Sequence, residues 1–483
     1  MLYIIPYYIL LSLVVLSFSS SVIVQQQQVP FRASRLFDSN DNIQQQYEQS
    51  LGHLLKNFNP SGTRRGFFAA SPSKSKPDYF YSWTRDASLV SNVLVTLQQH
   101  NQLDLKQVLF DYIDFQVHTQ RIVNRTVCQC LGEPKFNMDG SPFLETWGRP
   151  QNDGPAERAI TMILFAKSLQ EQTSSNKTHD LNYITSLLKP SIYLDLDYVV
   201  KNWNMRCFDL WEEIKGIHFF TLMVMRKGLL DGSDFALKYG DIMQAHLYRH
   251  TARQIQDRLE TFWSSQDGYI RVTQDQVQGQ LKPSGLDTSI ILAANLISSL
   301  NDGFFTPGSD KVLATAKILE DTFDQLYPIN KEQGIGEHRH HGVAMGRYPE
   351  DRYDGYGTSM GNPWFLTTAA MAELYYLAMM EWYQQGWMEV NDINHAFFRQ
   401  RDKTVSVGHV YRRGNRDFDW FLHTLASDAD RFFATIQYHQ AQNGVLSEQF
   451  NRFSGFQQGA PNLSWSYSSL ISALNARTRF YRR

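Results

Sequence analysis

Phe208-Asp209-Leu210-Trp211-Glu212-Glu213-Ile214-Lys215-Gly216 sets three carboxylates and a tryptophan just ahead of an apolar run at helical spacing, 217–230. Acidic residues favour the positive end of a helix dipole, so the plain reading of Asp209, Glu212 and Glu213 is a helix start. Carboxylates packed this closely also repel, which raises the proton affinity of one of them. An adjacent indole supplies desolvation and a flat apolar face suited to a sugar ring. The same layout, a polar and aromatic loop followed by an apolar helix, recurs along the chain.

Apolar residues return at helical spacing in a dozen windows: 47–58, 87–97, 105–117, 156–169, 193–203, 217–230, 243–262, 288–300, 311–326, 364–383, 425–442 and 465–480. Strand-like alternation is confined to Gly268-Tyr269-Ile270-Arg271-Val272 and 404–410. No linker interrupts the series after Phe58, and no fixed repeat period appears, so one all-α domain of helical hairpins is expected. Each even-numbered helix begins from a loop rich in Trp, Arg, Asp or Glu. These loops hold Tyr79-Phe-Tyr-Ser-Trp-Thr-Arg-Asp86, Trp147-Gly-Arg-Pro-Gln151, Asp209 to Gly216, Lys282 to Asp287, Gly346 to Asp351 with Gly361-Asn-Pro-Trp364, and Leu446 to Phe450 with Ser464-Trp-Ser-Tyr467. If the hairpins close into a ring, the loops meet at one end and form a concave site.

Composition narrows the ligand. With 46 Lys+Arg against 48 Asp+Glu among 483 residues, nothing points to nucleic acid or an acidic polymer. Tyr and Trp number 24 and 10, more than a core needs, which suits a neutral ligand that stacks and hydrogen-bonds. No metal or cofactor is expected. The Glu337-His-Arg-His-His341 cluster lacks a helical His pair and is read as solvated loop. Cys128, Cys130 and Cys207 allow at most one internal bridge; the first two are read as too close to join, leaving buried thiols or a bridge to Cys207.

The N-terminus carries no charge through Pro30, and its apolar run 1–18 ends at Ser19-Ser20-Ser21. A signal peptide over 1–21 and a flexible lead-in over 22–45 are expected, with one domain over 46–483 and no separate module beside it. A signal-anchor stays open because the uncharged span is long enough to cross a bilayer. Secretion is the favoured address, membrane anchoring or a vacuolar location the alternatives. Asn124-Arg-Thr126, Asn176-Lys-Thr178 and Asn462-Leu-Ser464 match the glycosylation pattern.

The motif series resembles the fungal glucoamylases, glucan 1,4-α-glucosidases of glycoside hydrolase family 15. The resemblance rests on Asp78 to Asp86, Trp147 to Gln151, Asp209 to Glu213, Gly346 to Asp351, Gly361 to Phe365, Ser447 to Gln449 and Ser464 to Tyr467, in the family's order. It implies an (α/α)6 barrel, and an inverting exo-hydrolase releasing β-glucose from non-reducing ends of α-glucans, faster from α-1,4 than from α-1,6 links. It also implies Glu212 as general acid and Glu448 as general base, with carboxyls about 6.5–9.5 Å apart to admit a water. Glu212, crowded by Asp209 and Glu213, is read as the group that keeps its proton, and Glu448 as the one that stays ionised. The resemblance assigns Arg85 and Asp86 to the hydroxyls of the terminal glucose, where a structural ion pair is the rival reading. Arg347 and Glu213 would hold the sugars on either side of the cut, with the Leu210 carbonyl. Tyr79, Trp83, Trp147, Trp211, Trp364 and Trp465 would line the site beside Asp209, although Trp364 and Trp465 equally suit a core. The chain departs from the common pattern in its longer segment Arg352 to Met360 and in Gly459-Ala460-Pro461. Rival activities are a trehalase or glucodextranase on the same barrel, or a non-catalytic binding module of the kind found in phosphorylase kinase regulatory subunits. The partner class expected is soluble α-glucan, met by a monomer without stable membrane association.

Overall fold

The structure is a computed structural model that describes residues 40–99, 103–171, 177–331 and 341–483. The expected signal peptide, the Asn176 sequon residue and most of the 337–341 histidine cluster lie outside the described residues. Twelve long helices carry the fold: α1 Asn40–Lys56, α2 Thr84–Gln99, α3 Lys106–Arg121, α4 Asp153–Glu171, α5 Lys189–Asn202, α6 Phe219–Lys238, α7 Ile242–Glu260, α8 Ser289–Ile297, α9 Asp310–Leu326, α10 Phe365–Gln385, α11 Arg416–His439 and α12 Ser464–Tyr481.

Neighbour packing sorts them into two rings. The even helices close on themselves, α2 against α4, α4 against α6, α6 against α8, α8 against α10, α10 against α12, and α12 back on α2. The odd helices pack outside, α1 on α12, α3 on α2, α5 on α4, α7 on α6, α9 on α8 and α11 on α10. This is the expected (α/α)6 barrel. Composition explains which helix goes where. In α10 and α6 nearly every residue of the first four turns is buried, so these helices are apolar around their whole circumference and need neighbours on all sides. In α7 only Ala245, Tyr248, Thr251, Ala252, Ile255 and Leu259 are buried, a single stripe that fits an outer helix.

Several expectations need correction. The acidic stretch is not a helix start: Asp209 to Ile214 forms a turn joining strands Cys207–Phe208 and Lys215–His218, and α6 begins only at Phe219. Strand Thr273–Gln278 completes a three-stranded sheet on Lys215–His218. The 404–410 candidate reduces to Val410–Arg412, paired with Trp387–Glu389. Helix α1 starts at Asn40, inside the span expected to be a flexible lead-in. Cys128 and Cys130 are joined, because Gln129 takes a left-handed conformation that brings their Cα atoms to 5.1 Å; Cys207 is buried as a free thiol. Of the described sequons, Asn124 is exposed. Asn462 is committed to packing, its side-chain oxygen accepting from the Tyr467 hydroxyl at 2.7 Å and its carbonyl from Asn57 at 2.9 Å. Among the described residues no helix is long and apolar enough to cross a membrane.

Candidate active site

Because every inner helix runs the same way, the loops that precede them gather at one end of the barrel. There they enclose a cavity of about 300 Å³. Thirteen of the fourteen site residues expected from sequence line it: Tyr79, Trp83, Arg85, Asp86, Trp147, Leu210, Trp211, Glu212, Glu213, Arg347, Trp364, Glu448 and Trp465. The exception is Asp209. Its carboxylate points back into its own turn, where Oδ1 accepts the backbone N–H of Glu213 at 2.8 Å and of Ile214 at 2.9 Å. Buried Lys282 pairs with it at 3.4 Å. Burial alone would raise this carboxyl, but Lys282, His218 and the two amides hold it below the usual range. Asp209 therefore shapes the loop that presents Glu212.

Glu212 sits in that turn with φ +66°, a conformation in which a non-glycine residue is strained. One carboxylate oxygen accepts from the Trp83 indole at 2.7 Å and from Gln151 at 2.9 Å, the other from the Trp147 indole at 2.9 Å. Arg85 Nη2 lies 3.5 Å away. The expected crowding by neighbouring carboxylates is not what surrounds it, since Asp209 belongs to Lys282 and Glu213 to Arg347 and the Tyr348 hydroxyl. Behind the indoles lies Lys135, buried against the rings of Trp147 at 3.4 Å, Phe143 at 3.9 Å, Tyr81 at 4.4 Å and Trp83 at 4.7 Å. Burial lowers its ammonium to about 8 against the opposing charge of Glu212. Lys135 and Gln151 were not singled out from the sequence, although Gln151 closes a quoted motif and strand pairing sets Lys135 opposite Trp83.

Glu448 comes from the far end of the chain. Its backbone N–H bonds Ala460 at 2.8 Å, and the next residue, Gln449, bridges to Trp364 at the start of α10. Gly459 has φ +74°, and a Cβ there would collide with the Glu448 carboxylate, so this glycine keeps the space behind it open. One Glu448 oxygen accepts from the Tyr79 hydroxyl at 3.0 Å and the other from Tyr353 at 3.1 Å. Tyr353 was missed; it lies in the longer segment Arg352 to Met360, whose role the sequence left unread. Only 1% of Glu448 is exposed. Burial pushes its carboxyl up to about 7 against the two hydroxyls and the Arg347 charge, so it is not the freely ionised group that its sequence neighbours suggested.

Two charged networks frame the pair. Arg85 is fixed by Gln151 at 2.8 Å and Asp153 at 3.1 Å, which leaves Asp86 Oδ2 buried without a hydrogen-bond donor, 3.5 Å from Arg85 Nε. Burial raises Asp86 to about 6. An unsatisfied buried acceptor lining a cavity is suited to a ligand hydroxyl. Arg347 forks onto Asp351 at 2.6 and 2.8 Å and reaches Glu213 at 2.7 Å, with its guanidinium over the rings of Trp211 and Trp364. Trp211 stacks on Trp465 at 6.1 Å, so these residues serve the core and the lining together.

The profile described as "Glycosyl hydrolases family 15" matches residues 44–475. The chain belongs to glycoside hydrolase family 15. Glucoamylase 1 of Rhizopus oryzae is 50% identical over 428 residues, 88% of this chain and 68% of that one. Among solved structures, the family 15 glucoamylase from Hypocrea jecorina superposes with a TM-score of 0.82 at 33% identity, over 91% of this chain and 72% of its own. The glucoamylase from Saccharomycopsis fibuligera gives 0.80 at 29% identity, over 91% and 95%. The family 15 barrel thus accounts for the ring of hairpins, and its glucoamylase branch is where this chain falls.

Proposed function

We propose that this glucoamylase removes single glucose units from non-reducing ends of starch, glycogen and maltooligosaccharides, with inversion and release of β-D-glucose. Glu212 is the general acid that protonates the leaving oxygen, and Glu448 the general base that activates water on the opposite face. The observation that carries this reading is the convergence of two carboxylates, 448 − 212 = 236 positions apart, on one small aromatic cavity. Asp86 and Arg85 bind hydroxyls of the terminal sugar, and Arg347 with Glu213 holds the sugars next to the scissile bond. The indole faces of Trp147 and Trp83 supply the stacking surface. An α-1,6 link is cut more slowly because its extra torsion lets the leaving oxygen drift from Glu212.

The burial of Glu448 favours one rival, in which the two carboxyls exchange roles. NMR of the first products from maltotriose tests the reaction: new β-glucose before mutarotation, with maltose in the anomeric ratio of the substrate as its co-product, is expected, whereas new α-glucose refutes inversion and a newly formed anomer on maltose refutes attack at the non-reducing end. A second expectation concerns pH. A base works ionised, so kcat/KM rises as pH climbs through the Glu448 pKa. Tyr353→Phe removes a donor to that carboxylate and tightens its hold on the proton. The acidic limb should then move up by roughly one pH unit, the equivalent of a charge-assisted hydrogen bond of about 1.5 kcal/mol. An unmoved limb in a pH–rate series would detach Tyr353 from the base.

A further inference from the structure

Beneath the catalytic pocket the barrel axis is hollow. A second cavity of about 750 Å³, more than twice the volume of the first, is lined by all six inner helices. It follows α12 from Trp465 to Arg479 and on to Arg482 just past the helix end, a run of roughly 25 Å at the helical rise. Its volume falls within the range of about 300–1,000 Å³ typical of small-molecule sites. Trp465 lines both cavities, so it is their common wall.

The lining has the chemistry of a polyol site. Glu373 accepts from the Ser472 hydroxyl and from the Asn295 amide at 3.3 Å, and burial raises its carboxyl to about 7, so below neutral pH it is itself a donor. Lys227 is neutralised by Asp231 at 2.9 Å and bonds the Ser299 hydroxyl at 2.8 Å. Lys227 and Asp231 thus offset each other, and the other cations of the lining are Lys167 and the exposed Arg479 and Arg482. Asn295 is only 7% exposed, yet its side-chain oxygen has no hydrogen-bond partner. A buried amide oxygen left this way costs on the order of 1–3 kcal/mol, which a ligand hydroxyl or an ordered water would recover.

We propose that this axial cavity is a second binding site, separate from the catalytic pocket, for a neutral polyhydroxylated molecule of monosaccharide size. Glucose is the occupant of choice; that identity rests on the proposed activity, which produces it on the other side of Trp465. Hydroxyls of the sugar meet Asn295, Glu373 and Ser472, and the Trp465 indole bounds the inner end.

D-Glucose titrated into the intact protein by calorimetry at millimolar concentration tests it. Two equivalents are expected for the wild type. Asn475 lines the channel on α12 and has no catalytic role. Asn475 lies one helical turn from Ser472, so Asn475→Phe should obstruct the channel beside the proposed sugar contacts and weaken one equivalent by about tenfold or more while maltotriose hydrolysis persists. Asp86→Asn should weaken the other, so the axial and catalytic readings fail separately. One equivalent in the wild type that Asn475→Phe leaves intact overturns the proposal, as do two equivalents that survive in Asn475→Phe. Should Asn475→Phe fail to fold, glucose-soaked wild-type crystals decide: a sugar against Glu373 and Ser472 supports the site, and water alone there overturns it.

Discussion

Glu448→Gln is expected to slow maltotriose hydrolysis by about 10²–10⁴-fold, the usual worth of a positioned general base and equivalent to about 3–5 kcal/mol of barrier. Glutamine keeps the shape and can still accept from one of the two tyrosine hydroxyls, Tyr79 or Tyr353. The other hydroxyl can rotate to accept from the new amide. The fold should therefore survive, with a thermal midpoint within a few degrees of the wild type. What is lost is the ability to take a proton from water. Glu448→Ala sharpens the test, because it opens room for a small anion. Azide should restore turnover with an activated substrate and form β-glucosyl azide, since it needs no base and attacks the same face. Wild-type rates in Glu448→Gln would remove this residue from the mechanism.

The barrel was legible because its two rings differ in composition. Helices such as α10, apolar on every side, announce themselves over a long window, and the amphipathic outer helices do so by one stripe. Helix α11 begins at Arg416, nine residues before the window read from sequence; Phe418, Phe421 and Leu422 already set its buried stripe, but they are interspersed with Arg416, Asp417 and Asp419, which mask the period in the first turns. The site residues were legible as types that alternate with helices and match a family's motif series. Their partners were not. Tyr79 and Glu448 lie 369 positions apart, and no local pattern encodes that hydrogen bond. The misreading of Asp209 has the same root. Three nearby carboxylates look mutually repulsive along the chain, but Lys282 and Arg347 arrive from later loops and neutralise two of them. Likewise, Gln129 in a left-handed conformation, invisible in a cysteine count, makes the Cys128–Cys130 bridge reachable.

Glu212→Gln is expected to be as damaging on maltotriose, about 10²–10⁴-fold, but its signature should depend on the leaving group. Two indoles and the Gln151 amide donate to Glu212, so the side chain is held from both oxygens at 2.7–2.9 Å. Glutamine in its place retains an acceptor for one side and sets an N–H₂ group against an N–H donor on the other. That mismatch costs on the order of 1–3 kcal/mol and loosens either Trp147 or Trp83. Part of the loss will then appear in KM, through weaker stacking, and the larger part in kcat, through the missing proton. α-Glucosyl fluoride separates them, because fluoride departs without protonation. Its hydrolysis by Glu212→Gln should fall only by the stacking share, whereas Glu448→Gln should fail on fluoride and maltotriose alike. The opposite pattern, fluoride spared by Glu448→Gln and lost in Glu212→Gln, would exchange the two roles. That outcome would match the raised proton affinity of buried Glu448, so the pair of variants decides which carboxylate gives the proton and which receives it.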